Sequence, residues 1–415
     1  MTALQGLRVV EWGDLISAAY CTKLLQEFGA AVDKLEPATG DSARAHGPFP
    51  GDVPDPEASG IFVYLNSGKR SIVCDPSTPG GMQLLEELLE RADVFVSNQP
   101  LALRRHLRLD PATLRARYPG LVVVSLTPFG DTGPNAEAPA QAIDAYAVSG
   151  TAWVIGEPGR QPLIVPLLQA DYQCGAHGAA ATLMALIAQR RHRLRHGPQA
   201  TGGDSPRIAA APGETVDIAS ADVFAAAAGT NAQIYLFSGL QKWARSGRRA
   251  FASGGPYPYV ILPCKDGAVC LIGRARQEWA RFVQAMGEPP WTREPRYQDL
   301  QAMGRDYPDE VDGLIMPWLA QRTRAELLEL AAQFGFPLGP LRHMSEVAAS
   351  PQFEHRGYFR RMPIGESRSV EVPGVPWKVA GREPARMLPA PRLGEHTRQV
   401  RQELGLCSPE NMHEQ

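Results

Sequence analysis

Short, valine-rich apolar runs alternate with longer amphipathic stretches through the first part of the chain. Leu7 to Glu11 reads as a strand, Ala19 to Phe28 as a helix closed by Gly29, and Ala31 to Leu35 as the next strand. That is a βαβ unit. The alternation continues with Gly80 to Arg91 as a helix, Val94 to Ser97 as a strand, Pro111 to Tyr118 as a helix and Leu121 to Leu126 as a strongly apolar strand. Such a succession predicts a parallel sheet covered by helices. Further on, an Ala-rich run ending in Arg190-Arg191 predicts a helix, and Asp171 stands just before it in Leu167-Leu168-Gln169-Ala170-Asp171-Tyr172-Gln173-Cys174-Gly175. A carboxylate there would meet unpaired N–H groups and the helix dipole, which hold it ionised and fixed. An isolated Asp at such a place is ordinarily a helix cap.

The pattern changes after that helix. Arg190 to His196 is strongly basic and runs into Gly197 to Pro206, whose composition predicts an exposed loop. A second region opens with Gly254-Gly255-Pro256 and a strand from Tyr259 to Pro263, followed by a hairpin turn at Lys265-Asp266-Gly267 and a returning strand from Ala268 to Ile272. Helical periodicity over Gln277 to Met286, Glu310 to Gln321 and Thr323 to Phe334 completes a small α+β region, and the tail from about Gly339 is rich in Pro and Arg.

Composition narrows the function classes. The 415 residues are 44% hydrophobic and 21% charged, enough to bury a large core, and a formal net charge of −2 offers no basic excess for a phosphate backbone. Nucleic acid is therefore not the expected partner. The first residues carry no charged and apolar leader, and no apolar stretch reaches membrane-spanning length, so a cytoplasmic, membrane-free protein is expected. The six cysteines lack C-x-x-C spacing, and His192 and His196 have no third ligand nearby, so no metal is expected. Neither G-x-G-x-x-G nor G-x-x-x-x-G-K-[ST] follows a strand, which weighs against nucleotide oxidoreductases and NTPases.

The remaining motifs add up to a resemblance. Leu7-Arg8-Val9-Val10-Glu11 is followed by Phe28-Gly29-Ala30-Ala31-Val32-Asp33-Lys34-Leu35-Glu36-Pro37 and by Gly40-Asp41 with Arg44. Then come Leu65-Asn66-Ser67-Gly68-Lys69-Arg70-Ser71, Phe129-Gly130-Asp131-Thr132-Gly133-Pro134, Asp144 before Ser149-Gly150, and Asp171. Phe336 to Pro340, Arg356-Gly357-Tyr358-Phe359 and Pro391 to Thr397 close the series. In this order and spacing the chain resembles the class III CoA-transferases, the family of formyl-CoA:oxalate and carnitine CoA-transferases with α-methylacyl-CoA racemase as a branch.

The resemblance implies an α/β fold: a large Rossmann-like domain built from both chain ends, 1 to 225 and 335 to 415, a small inserted α+β domain over 226 to 334, and an interlocked homodimer. It implies coenzyme A, as acyl-CoA, and a carboxylic acid as substrates, without a metal. Asp171 would be the acyl-carrying nucleophile, forming first a mixed anhydride and then an aspartyl-CoA thioester. Gly254 and Gly255 resemble the mobile glycine loop whose N–H groups serve the oxyanions; a simple turn before Pro256 is the alternative. Lys69 falls at the position of a CoA-contacting lysine and Arg105 lies within a residue of a CoA-contacting arginine, with Ser17 and Asn98 as further contacts. Departures are Ile16-Ser17-Ala18-Ala19 at the mouth of the first helix, which disfavours a small dicarboxylate, and Pro37 where a CoA-binding arginine is frequent. Ile143 replaces the histidine of the racemase branch, which favours transfer over racemisation. Racemase or epimerase action, and an acyl-CoA binder without turnover, stay open as alternatives. His177, six residues along from Asp171, reads as a core or interface residue, and Trp12, Trp153 and Tyr257 as core residues or as walls of an acyl pocket.

Overall fold

The computed structural model describes residues 2–196, 212–239, 245–250, 255–364, 368–381 and 387–406. The valine-rich runs become six strands: β1 (Arg8–Trp12), β2 (Ala31–Glu36), β3 (Arg70–Val73), β4 (Val94–Ser97), β5 (Val122–Thr127) and β6 (Thr215–Ala219). All are parallel, in the order β3-β2-β1-β4-β5-β6. The helices of this half are α1 (Ser17–Gln26), α2 (Gly60–Asn66), α3 (Pro79–Arg91), α4 (Leu101–His106), α5 (Pro111–Arg117) and α6 (Ala142–Val148); then come α7 (Thr151–Val154) and α8 (Gln169–His196). The sheet and helices expected from periodicity are present, with ends displaced by one or two residues. β3 and β6 are additions: Arg70-Ser71-Ile72-Val73 and Thr215-Val216-Asp217-Ile218-Ala219 mix polar with apolar residues and do not announce themselves as strands.

Two compact units divide the chain, one from residues 1–148, 166–224 and 351–415, the other from 149–165 and 225–350. In the first, alternate residues of each strand feed opposite cores, as a pleated strand requires. Val9, Val32, Val94, Val96, Val122 and Val124 pack with Ala18, Cys21 and Leu25 of α1 and Cys174 and Ala179 of α8. Val10, Trp12, Phe95 and Val123 pack with the leucines of α3, with Leu114 of α5 and with Val400 from the far end of the chain. That end, a helix over Thr397–Glu403, is held to β3 where Thr397 Oγ1 accepts from the Val73 N–H at 2.9 Å and the His396 N–H donates to the Ser71 carbonyl at 3.0 Å. An antiparallel hairpin, Phe359–Ile364 with Arg368–Pro373, belongs to the same unit.

The second unit holds β7 (Tyr259–Cys264), β8 (Gly267–Ile272) and β9 (Leu338–Pro340), antiparallel in that order. Helices over Arg276–Ala285, Pro308–Leu319 and Arg324–Phe334 close over Trp279, Phe282, Ile315 and Leu327. The turn between β7 and β8 falls at Lys265-Asp266, where the sequence expects it.

Candidate active site

In a parallel sheet with helices on both faces, ligands gather beyond the carboxyl ends of the strands, where the strand order reverses. Here the reversal lies between β1 and β4. After β1 the chain runs through Gly13-Asp14-Leu15 into α1, and after β4 it reaches Asn98. The Asn98 amide ties the two together: its Oδ1 accepts from the Asp14 N–H at 2.8 Å, and its Nδ2 donates to the Asp14 carbonyl at 2.7 Å and to Ser17 Oγ at 2.9 Å. The approach is so close that a Cβ on Gly13 would lie 2.4 Å from Ala18 Cβ. Asp14 in turn accepts from the Ser42 N–H at 2.8 Å, and Asp41 accepts from the Leu15 N–H at 3.1 Å. Leu15 is held with φ +61°, a conformation that L side chains rarely adopt. Ser17 and Asn98, two separate sequence expectations, thus form one hydrogen-bonded pair at the reversal point.

Asp171 comes from the start of α8, which lies along α1. Two glycines permit the contact: a Cβ on Gly175 would stand 2.5 Å from the Ser17 carbonyl and 3.1 Å from the Cys21 N, and one on Gly178 would stand 2.6 Å from Leu126. The helix begins at Gln169, so Asp171 is its third residue and not the cap before it. Its own N–H donates to the Leu168 carbonyl at 3.0 Å. Among the described residues no donor is hydrogen-bonded to its carboxylate, and burial pushes the carboxyl up from 3.8 to about 6. Asp171 thus lies in the first turn of α8 rather than before it, and removal from water beside Tyr172 and Cys174 pushes its carboxyl upward. Tyr172 packs edge-on to Tyr20 of α1 at 5.1 Å between ring centres.

Beneath α1 lies a buried network of charges. Glu11 of β1 and Lys34 of β2 are register partners, joined at 2.7 Å, and Lys69 reaches the other Glu11 oxygen at 2.8 Å. Lys69 also donates to the Ala19 carbonyl and to Asn66 Oδ1, each at 2.9 Å, and Thr22 of α1 donates to Glu11 at 2.5 Å. Burial alone would raise the Glu11 carboxyl, but the two ammonium groups outweigh it and hold the group down at about 2. Burial pushes the Lys69 ammonium down to about 8 against the pull of Glu11. With a side-chain exposure of 0% and three acceptors engaged, Lys69 is turned into the core, a placement suited to holding α1 and not to meeting a phosphate in solvent.

Arg105 is exposed on α4 and paired with Glu137, at the edge of a cleft of about 760 Å³ that Asp131, Thr132 and Asp217 also line. Its neighbour Arg104 is buried and binds Asp131 at 2.6 Å, which explains what the Gly130-Asp131 motif does: it anchors the loop after β5 to α4. Gly130 has φ +84°, and the Asp131 N–H donates to the Asp217 carboxylate of β6 at 3.0 Å. Asp144 accepts from the Gln141 N–H at 2.9 Å and so caps its own helix, α6, while Ile143 is exposed. His177 is exposed, with Nδ1 2.8 Å from the Gln173 carbonyl. In the second unit, Gly254 lies outside the described residues; Gly255 packs against Gly304, whose Cβ, if present, would meet the Gly255 carbonyl at 2.0 Å. Trp12 and Tyr257 are buried in their cores, and Trp153 is exposed beneath Arg245.

Sequence reasoning passed over Asp14, Thr22, Gly175 and the Glu11–Lys34 pair. Gly13-Asp14 directly after the first strand, and Gly175 and Gly178 inside a helix that alanine would favour, are signals that could have pointed to them.

Comparison with known proteins follows the same contour. The family described as CoA-transferase family III matches residues 4–397. A succinate–glutarate CoA-transferase of Agrobacterium fabrum is 30% identical over 406 residues, covering 97% of this chain and 95% of the relative. The succinyl-CoA:(R)-benzylsuccinate CoA-transferase subunit BbsE of Thauera aromatica is 28% identical, over 93% of this chain and 90% of its own length. The crystal structure of a CAIB/BAIF family protein from Brucella suis superimposes with a TM-score of 0.81 at 28% identity, covering 97% of this chain and 99% of that one.

Proposed function

This chain belongs to CoA-transferase family III, and from that premise we propose that it transfers CoA from an acyl-CoA donor to a carboxylic acid by covalent catalysis on Asp171. The observation that carries the proposal is a half-buried carboxylate at the start of α8 with no hydrogen-bonded partner among the described residues. A carboxylate in water is a poor nucleophile; stripped of solvent and set beside a bound thioester it becomes a competent one. An Asp171 oxygen attacks the thioester carbonyl, the C–S bond breaks, and the CoA thiolate leaves with the electron pair. The thiolate then attacks the Asp171 carbonyl of the mixed anhydride, the donor acid departs as carboxylate, and an aspartyl-CoA thioester remains. An acceptor carboxylate reverses the two steps, returning Asp171 as carboxylate with no net gain or loss of protons.

Under this proposal the Asn98–Ser17 pair fixes the mouth of α1 where the thioester arm enters, and Arg105 meets a phosphate at the cleft edge by exchanging Glu137 for the ligand. Lys69 acts at a distance, holding Glu11 and the first turn of α1. Gly254 and Gly255 are proposed to supply N–H groups to the oxyanions. We also propose the inserted small domain, over 226 to 334, and the interlocked homodimer; Met184, Ile187 and Leu194 on α8 are 63%, 57% and 77% exposed and would gain cover from a second copy.

The test is intact-mass analysis after incubation with a panel of acyl-CoAs, with and without hydroxylamine, for the native protein and Asp171→Ala. An adduct or cleavage mapped to Asp171 and missing from the variant is the expected result. CoA binding without any adduct would return the assignment to a racemase or a non-catalytic binder.

A further inference from the structure

At the end of α1 away from the Ser17–Asn98 pair, the same unit holds another cleft. The helix carries the chain from the carboxyl ends of the strands back to their amino ends, over a length of roughly 15 Å. There, beside Phe28, lies a cavity of about 770 Å³, a size that takes a cofactor-sized ligand. Its walls come from Thr2 and Ala3, from Phe28 in the turn after α1, and from residues between 354 and 381.

Close backbone contacts hold those walls. Gly29, with φ +99°, lets Thr2 lie against the turn after α1: a Cβ there would stand 1.9 Å from Thr2 Oγ1, and the Leu4 N–H donates to the Phe28 carbonyl at 2.9 Å. On the hairpin side, the Gly374 N–H donates to the Tyr358 carbonyl at 2.7 Å, and a Cβ on Gly374 would stand 3.0 Å from Arg360 Cδ. The segment that follows is thereby laid alongside Arg360. It reaches Phe28, where the Trp377 indole stacks on the phenyl ring with 5.4 Å between centres and 9° between planes. Trp377 keeps 38% of its surface exposed although Phe28 covers one face, so indole surface is left open at the cleft.

The charges of the lining are one-sided. Arg356, Arg360 and Lys378 bring three permanent positive charges, beside the imidazole of His355, against the single carboxylate of Glu354. In a chain whose net charge is −2 this is a local excess of cations. Stacked aromatic rings select a flat ligand, and guanidinium forks with an ammonium select phosphate oxygens. An acid without a ring would leave the indole unused, and an uncharged arene would leave the cations unmatched.

We infer that this cleft binds a nucleoside phosphate, with the base extending the Phe28–Trp377 stack and the phosphates received by Arg356, Arg360 and Lys378. Free nucleotides and the nucleotide end of CoA share this chemistry. The inference does not depend on Asp171 being the nucleophile.

The experiment titrates ADP, adenosine and CoA into the full chain by calorimetry, with tryptophan emission followed in parallel. ADP should bind with a change in emission, and adenosine at least about tenfold more weakly. Arg356→Ala combined with Lys378→Ala, and Trp377→Ala alone, should each weaken ADP at least about tenfold while acyl transfer stays within about twofold. Arg356 and Lys378 are exposed, so the double variant should keep the native Tm. A CoA site that disappears in the variants, beside one that remains, would make the nucleotide end of CoA the occupant. CoA binding untouched by the variants, with ADP binding weakened, would make it a free nucleotide. Equal ADP affinity in the native chain and both variants would overturn the inference, as would no ADP binding at millimolar concentration. Variants that change the mass of the eluting particle and not ADP binding would give the cleft to a second copy of the chain, and would overturn it as well.

Discussion

Asp171 carries a conflict between stability and chemistry. Its carboxyl, moved from 3.8 to about 6 by burial, is more easily kept neutral in the folded chain than in the unfolded one. The stabilisation from a raised acid is full below the unfolded value of 3.8 and is lost as pH rises through about 6. At neutral pH the charged group thus works against the fold, by an amount on the order of 1–3 kcal/mol. Asp171→Asn should therefore raise Tm at pH 7 to 8 and give no such gain below pH 4, which calorimetry at the two pH values will check. Catalysis needs the ionised form, so kcat/KM for transfer should fall about tenfold per pH unit below about 6 and level off above it. A flat profile between pH 5 and pH 7 would show that Asp171 is ionised throughout or is not the nucleophile.

At the scale of elements, the site depends on how closely α8 approaches α1. Gly175 sits against backbone atoms, the Ser17 carbonyl and the Cys21 N, which cannot move without shifting α1 itself. Gly175→Ala should cost about 1–3 kcal/mol of stability by overpacking and should reduce kcat more than KM, since it displaces Asp171 while leaving the cleft beside α4 intact. The charge network under α1 has the opposite character: it is hidden, and its removal leaves charges stranded. Lys69→Met leaves Glu11 with Lys34 and deprives the Ala19 carbonyl of its donor, and should destabilise by about 3–5 kcal/mol in a denaturant titration. A loss of CoA affinity with unchanged stability would instead make Lys69 a ligand contact. Glu11 is a depressed acid, so its support is complete above its unfolded value of 4.5 and disappears as pH falls toward about 2.

For the whole molecule, the proposed dimer makes a simple demand. Light scattering of the eluting peak should return the mass of two chains, about twice 45.0 kDa. A mass of one chain would leave the exposed apolar positions of α8 to another occupant. No helix among the described residues is long and apolar enough to cross a membrane, so those positions are not part of a helical span.

Much of this was legible in the chain order. Runs such as Val122-Val123-Val124, short and β-branched, favour strands buried on both faces, and their alternation with helical periodicity points to a parallel sheet; these are local properties, set by side-chain spacing. That Asp171 falls at the start of a long helix, within a few residues of its first turn, and the family to which the chain belongs, were readable for the same reason: motifs are carried in linear order. What the tertiary structure decided depends on neighbours distant in sequence. The sequence offers Lys69 as a CoA-contacting cation, and only the fold shows Glu11, 58 residues away, and the Ala19 carbonyl holding it. Ser17 and Asn98, 81 residues apart, become one pair only because β1 and β4 lie side by side. The charge state of Asp171 is likewise set by what packs around it, because burial acts through space and leaves no trace in local sequence.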